Sequence, residues 1–338
     1  MRYDFGSDNT AGMAPAALDG LIQANAGFAR AYGADDVTAR AADQIRQRLD
    51  ADAEVRFVFS GTAANAIALS MLAFPFEAVL AHNAAHVCTD ETGAPGFFGQ
   101  GLGLIGLPGE SGRIDPRALQ AILEEPEVGH RQPPAALSLT QATEYGSVYS
   151  EEELRHLIEP VKARGYGVHM DGARLANAAA AGFDLTQIPR LGVDVLIFGG
   201  AKAGANCTEA IVLFDKSLAR RLDNRLKQAG QTASKARFLA GPMLGLLESG
   251  DWEAGAAHAN LMAQRLAEGI ATRSPFVLAH PVEANAVFVR MPYEAHARLN
   301  TLGWACYRFD DGSVRFVCSW ATTVEAVDEV VEAISGIS

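Results

Sequence analysis

From Val55 to Asp215 short apolar runs alternate with helical stretches, an order that only a few architectures accept. EVRFVFSGTAANAIALSML passes from a strand, Val55 to Phe59, through Ser60-Gly61-Thr62 into a helix. FEAVLAH and LGLIGL read as strands, and DPRALQAILEE as a helix with Asp115 as its cap and Pro116 at its first position. AALSLTQ is the next strand. SEEELRHLIEPVKARG then carries a capping box, Ser150 with Glu153, and stops at Gly165; Pro160 marks a kink or an early end. YGVHMD, a short Ala-rich helix, VDVLIFGGAK and EAIVLFD complete the series. Such a series builds a mostly parallel sheet covered on both faces, which takes its ligand at the carboxyl ends of the strands.

On either side of this series the pattern differs. Pro15 opens an amphipathic helix predicted to bury Leu18, Leu21, Ile22 and Phe28, and a second helix runs through Ala39, Ala42, Ile45 and Leu49. Beyond about residue 245 come a helix through Leu261 and Ile270, a strand at ANAVFVRMP, a helix at EAHARLNTLG, a strand at SVRFVCSW and a last helix at VEAVDEVVEAI. With 338 residues, 49% of them hydrophobic, the chain is long enough for two cores. The expected division is a large α/β domain, 1–245 with an N-terminal arm 1–14, and a small C-terminal α+β domain, 246–338.

Several function classes drop out on charge and composition. Net charge is −12, and the densest basic stretch, Arg220 to Arg237, is broken by Asp223 and apolar residues, so there is no basic stripe for nucleic acid. No apolar run approaches the ~20 residues that span a bilayer. The opening MRYDFGSDNT has an early acid and no apolar core, so no secretory signal is expected. The four cysteines form no CxxC and no spaced Cys/His set; reduced thiols, a cytoplasmic location and no metal site are expected.

The chemistry lies where strands end. Asp171 closes an apolar strand, where a carboxylate without a partner is costly; an ion pair with Arg174 is one answer and a ligand cation another. Lys202 follows the next strand and a glycine pair. Small residues at 199–204 leave room for a flat ligand beside an amine whose neutral form is favoured, although a surface lysine in a turn reads the same way. Ser60, Gly61 and Thr62 offer hydroxyls and helix N-terminal amides for a phosphate, or merely a capped helix start. Pyridoxal phosphate needs all three: a carboxylate for its ring nitrogen, a lysine for its aldehyde and a phosphate cradle.

HMDGAR with FGGAKAG downstream, preceded by SGTAAN and GSDN, resembles the L-threonine aldolases of the low-specificity type. These belong to the β-eliminating-lyase branch of the aspartate-aminotransferase-like, fold type I pyridoxal-phosphate enzymes, and the resemblance runs from Ser7 through Arg315. It implies that Asp171 faces the pyridinium nitrogen, Lys202 links the cofactor, Gly61 and Thr62 bind its phosphate and His86 stacks on its ring. It also implies that Ser7, Arg174 and Arg315 hold the substrate carboxylate, and that Tyr32 reaches the neighbouring subunit's site in a homodimer or dimer of dimers.

Two departures matter. QATEYG puts Glu144 where many relatives have a histidine, and GGAKAG lacks a threonine before the lysine, shifting phosphate binding toward Thr62 and basic residues in 220–237. The implied reaction is retro-aldol cleavage of a β-hydroxy-α-amino acid to glycine and an aldehyde. The base is open among His86, Glu91 and Glu144, with His86 preferred. The alternative is another fold type I β-eliminating lyase or an aminotransferase acting on a small amino acid.

Overall fold

The computed structural model describes residues 3–126, 128–309 and 311–337. A short strand, β1 (Tyr3–Asp4), precedes the central sheet. That sheet contains β2 (Glu54–Val58), β3 (Ala78–His82), β4 (Gly103–Leu107), β5 (Pro134–Thr140), β6 (Gly167–Gly172), β7 (Val195–Gly199) and β8 (Glu209–Leu213), in the order β2-β8-β7-β6-β5-β3-β4. The five strands from β7 to β4 in that order are mutually parallel. β8 runs antiparallel to both β7 and β2, because the short link from Gly199 to Glu209 holds no crossover helix and a parallel return needs a dozen or more residues. β6, β7 and β8 are buried almost throughout, as expected of strands covered on both faces.

Local chemistry sets most boundaries. The Ser150–Glu153 capping box is formed, Gly165 adopts a left-handed backbone (φ 76°), and the helix Glu151–Ala163 continues through Pro160 rather than ending there. The first helix, Pro15–Ala24, corrects the sequence reading. Its buried side is Ala17, Gly20 and Ala24, packed on the helix Arg237–Ser249, while Leu18, Ile22 and the following Phe28 are exposed. Close backbone contact decides this: a Cβ on Gly20 would stand 2.2 Å from the Gly241 carbonyl oxygen, so the small-residue face is the one that fits. In the second helix, Asp36–Leu49, Ala42, Ile45 and Leu49 are buried as read, whereas Ala39 is exposed.

The C-terminal layer is a four-stranded antiparallel sheet. Its strands are β9 (Val277–Leu278), β10 (Ala286–Arg290), β12 (Tyr307–Arg308) and β13 (Ser313–Val317), and β11 (Trp304–Ala305) lies apart, parallel to β1. Helices Asp251–Arg273 and Val324–Ser335 pack together, and Leu266, Val287, Phe316 and Val331 share one core. Phe5 is buried in that same core, so the N-terminal arm is sewn into the small domain. We propose a division near residue 245, 1–245 large and 246–338 small, with the arm of the large part packed into the small part's core.

Candidate active site

The carboxyl ends of β2, β3, β5, β6 and β7, with the start of antiparallel β8, meet at one cleft of about 380 Å³. Its lining includes Ser60, Gly61, Thr62, Asn65, His86, Glu144, Asp171, Arg174, Lys202 and Glu209. A larger groove of about 890 Å³, lined by Arg113, Phe183, Asn260 and Glu283 among others, has no lysine or histidine in its lining.

Asp171 is 5% exposed and its two oxygens are both held. Oδ1 accepts from the Ala173 amide at 2.9 Å and Oδ2 from Asn65 Nδ2 at 2.8 Å. Burial alone would raise its pKa, but the Lys202 charge and the Asn65 hydrogen bond outweigh burial and hold it below the usual value. Burial pushes the Lys202 amine the other way, toward neutrality, with repulsion from Arg174 adding to it against the pull of Asp8, Asp171 and Glu209. The sequence's ion-pair alternative is answered differently: Arg174 pairs with Asp8, not Asp171. Arg174 Nε donates to Asp8 Oδ2 at 2.7 Å and Nη2 to Oδ1 at 2.9 Å, and Asn285 adds a third bond to Asp8 at 3.0 Å.

Ser60 caps the helix Gly61–Leu72, accepting from Ala63 N, and Gly61 and Thr62, the first two residues of that helix, line the cleft. A Cβ on Gly61 would meet nothing within 4 Å, so the space lies there. Gly199 and Gly200 do not provide it. A side chain on Gly199 would meet the Gly172 carbonyl oxygen at 2.5 Å, and one on Gly200 would meet Met243 at 2.4 Å, so this pair is needed for packing. Trp252 completes that packing, donating to the Gly199 carbonyl at 2.8 Å and stacking on Phe198.

His86 opens a short helical turn after β3. Its Nδ1 donates to Glu91 Oε1 at 3.0 Å, and that bond holds the imidazole's proton affinity above its ordinary value against the opposing effect of burial. Asn65 donates to Glu91 and to Asp171, each at 2.8 Å, so one amide ties the histidine's partner to the strand-end acid. His169, read as structural, is buried against Ser138 at 2.9 Å with its pKa pushed down to about 4 by burial.

Ser7, Arg315 and Tyr32 are not among the cleft's lining residues. Ser7 caps the short turn Asp8–Thr10, and its neighbour Asn9 lines the cleft. Arg315, on β13, donates to the Gly6 carbonyl at 2.9 Å, and its guanidinium lies over Tyr307 and Phe309. Burial and the nearby Arg174 charge push its pKa down to about 10. Tyr32 is exposed, with Lys227 5.1 Å from its ring centroid. None of the basic residues in 220–237 lines the cleft; Arg225 bonds to Ser70 and Arg237 to the Gly27 carbonyl.

Three residues of the site were missed by sequence reasoning. Asn65 stands four residues after Gly61, a spacing that shares a helix face, and could have been found on that ground. Glu209 is fully buried, and its Oε2 accepts from the Gly200 amide at 2.9 Å; burial pushes its pKa up to about 7. Asp8 carries no local signal, since its partner lies 166 residues away.

An acid, an amine and a helix N-terminus gathered at the strand ends of such a sheet define an α/β protein of the aspartate-aminotransferase-like fold. A Thermus thermophilus aspartate aminotransferase superimposes with a TM-score of 0.74 at 16% identity over 99% of this chain and 91% of its own, a likeness of fold alone. The chain belongs to the beta-eliminating lyase family, whose model matches residues 4–293. A low specificity L-threonine aldolase from a Pseudomonas species is 44% identical over 98% of this chain and 97% of its own. The structure of Leishmania major threonine aldolase matches with a TM-score of 0.93 and 30% identity, over 99% of this chain and 100% of that one.

Proposed function

We propose that the protein is a pyridoxal-phosphate-dependent lyase that cleaves L-threonine, L-allo-threonine and related β-hydroxy-α-amino acids, phenylserine among them, to glycine and an aldehyde. The observation that carries this reading is the presence in one cleft of an acid held anionic, Asp171, and an amine biased toward neutrality, Lys202. The open space beside Gly61 at a helix N-terminus suits a phosphate. The 44% identical Pseudomonas aldolase supports retro-aldol cleavage over other reactions of the family.

When bound, pyridoxal phosphate supplies an aldehyde that takes the substrate amine and a ring that accepts the electron pair of the breaking Cα–Cβ bond. Ser60, Gly61 and Thr62 would hold its phosphate, Asp171 its ring nitrogen, His86 its ring face and Lys202 its aldehyde. Arg174 and Arg315, with Ser7, would hold the substrate carboxylate, and Glu144 would meet the β-substituent. Tyr32 would serve the neighbouring subunit in a homodimer or dimer of dimers; the exposed Leu18, Ile22 and Phe28 support such an assembly. Four free thiols support a cytoplasmic setting, and among the described residues no helix is long and apolar enough to cross a membrane.

Proton NMR of the cofactor-loaded protein with L-threonine tests this. Glycine plus acetaldehyde is expected; 2-oxobutyrate, or unchanged threonine, overturns the reading.

A further inference from the structure

The cleft lining holds three side-chain carboxylates, and two are engaged elsewhere. Asp171 accepts hydrogen bonds on both oxygens, and Glu209 holds the turn leading to Lys202. Glu144 differs. Its Oε1 is fixed by two donors, the His86 amide at 2.8 Å and the Thr140 hydroxyl at 3.0 Å, while its Oε2 is buried with no hydrogen-bond partner. A buried, unpaired acceptor is costly, and in a cleft that cost points to a partner delivered by a ligand.

The rival bases are worse placed. Glu91 also has a buried Oε2 without a partner, but it lies outside the cleft lining, and its Oε1 is shared by His86 and Asn65. His86 lines the cleft, but its Nδ1 is engaged by Glu91, and in the reading above its ring covers the cofactor face.

We infer that Glu144 is the general base of the cleavage, receiving the proton of the substrate's β-hydroxyl on Oε2. The assignment rests on the functional reading above. As Glu144 takes the proton, the O–H electron pair becomes the new carbonyl bond of the aldehyde. The Cα–Cβ bond breaks, and the bound cofactor would supply the acceptor for its electron pair. A proton later added at Cα would return that pair to a C–H bond, and the Lys202 amine, replacing the product amine on the cofactor aldehyde, would free glycine. His86, through its amide, and Thr140 hold the carboxylate in place.

Burial raises the proton affinity of Glu144, and Asp171 adds to the rise, while hydrogen bonds from the His86 amide, its own amide and the Thr140 hydroxyl oppose it. The other groups facing it are the Arg174 cation and the neutral Cys88, Tyr145 and Tyr149. The acid limb of kcat/KM for threonine is therefore expected above the ordinary carboxylate range.

The test uses the cofactor-loaded enzyme and Glu144→Gln, with Glu144→Asp as a second variant. Three readouts are compared: threonine cleavage across pH, exchange of the glycine α-hydrogen with deuterated water, and the borohydride-trapped adduct on Lys202. Glycine exchange involves no β-oxygen, so it separates this step from the rest of the machinery. Expected for Glu144→Gln is loss of cleavage by roughly 10²–10⁴-fold and loss of the acid limb, with exchange and the adduct kept. Glu144→Asp, which keeps a carboxylate, should recover part of the cleavage. Near-normal cleavage in Glu144→Gln with an unchanged pH profile overturns the assignment. So does parallel loss of exchange and adduct in both variants, which would mark a structural role. A wild-type enzyme that exchanges glycine yet cleaves no β-hydroxy amino acid would overturn the functional reading and this assignment together.

Discussion

Removing Asp8 isolates a fully buried charge that pairs with the cleft residue Arg174. Its side chain is fully inaccessible, Arg174 is 12% exposed, and two hydrogen bonds of 2.7 and 2.9 Å join them. Asp8→Ala would leave the Arg174 guanidinium buried without its counter-ion and near Arg315, whose pKa burial and the Arg174 charge already lower to about 10. Breaking one side of such a pair costs roughly 3–5 kcal/mol, most of it the penalty of the stranded charge. With a urea slope of ~3 kcal/mol/M, the unfolding midpoint should fall by roughly 1–1.7 M. The assay is urea unfolding at fixed protein and cofactor concentration for wild type, Asp8→Ala, Arg174→Leu and the double variant. Each single change should be costly and the double change cost far less than their sum, because removing both charges leaves none stranded. The pH dependence has a definite sign. Burial raises the Asp8 pKa, but the charges of Arg174 and Lys202 and the hydrogen bonds outweigh it and lower the folded value. Its contribution is then complete above the unfolded carboxylate pKa, near 4, and is lost as pH falls through the folded value. Asp8→Ala should lack that part of the acid sensitivity. Single changes costing under ~1 kcal/mol, as for a surface pair, would refute the reasoning.

Lys202→Ala should still bind pyridoxal phosphate but give no borohydride-reducible lysine adduct, checked by peptide mass; an adduct on another lysine contradicts the site. Asn65→Leu removes the donor shared by Glu91 and Asp171, so cofactor affinity, measured by titration of the visible absorbance, should fall while the fold persists. Burial raises the Glu209 pKa from 4.5 to about 7, so the wild type loses stability as pH rises between those values and holds level above. Glu209→Gln should therefore gain stability relative to wild type at pH 8, with the gain vanishing near pH 4; denaturation at both pH values checks it.

What was legible in the sequence was local. Cap boxes, Pro at first helical positions and short apolar runs depend on neighbours a few residues apart, and Ser60, Asp115 and Ser150 cap their helices as read. Asp171 and Lys202 were legible for the same reason: each is a polar residue where an apolar run stops. Tertiary structure alone decided which face of the first helix is buried, because Gly20 against Gly241 is a backbone fit that hydrophobicity does not encode. It decided that Gly199 and Gly200 serve packing rather than ligand space. It also brought Glu209 level with Gly199 at the cleft. The Asp8–Arg174 pair, Asn65 bridging Glu91 and Asp171, and the anchored Glu144 join residues far apart in the chain. Charge and hydrogen-bond partners act through space at a few ångströms, and only the folded chain sets those distances.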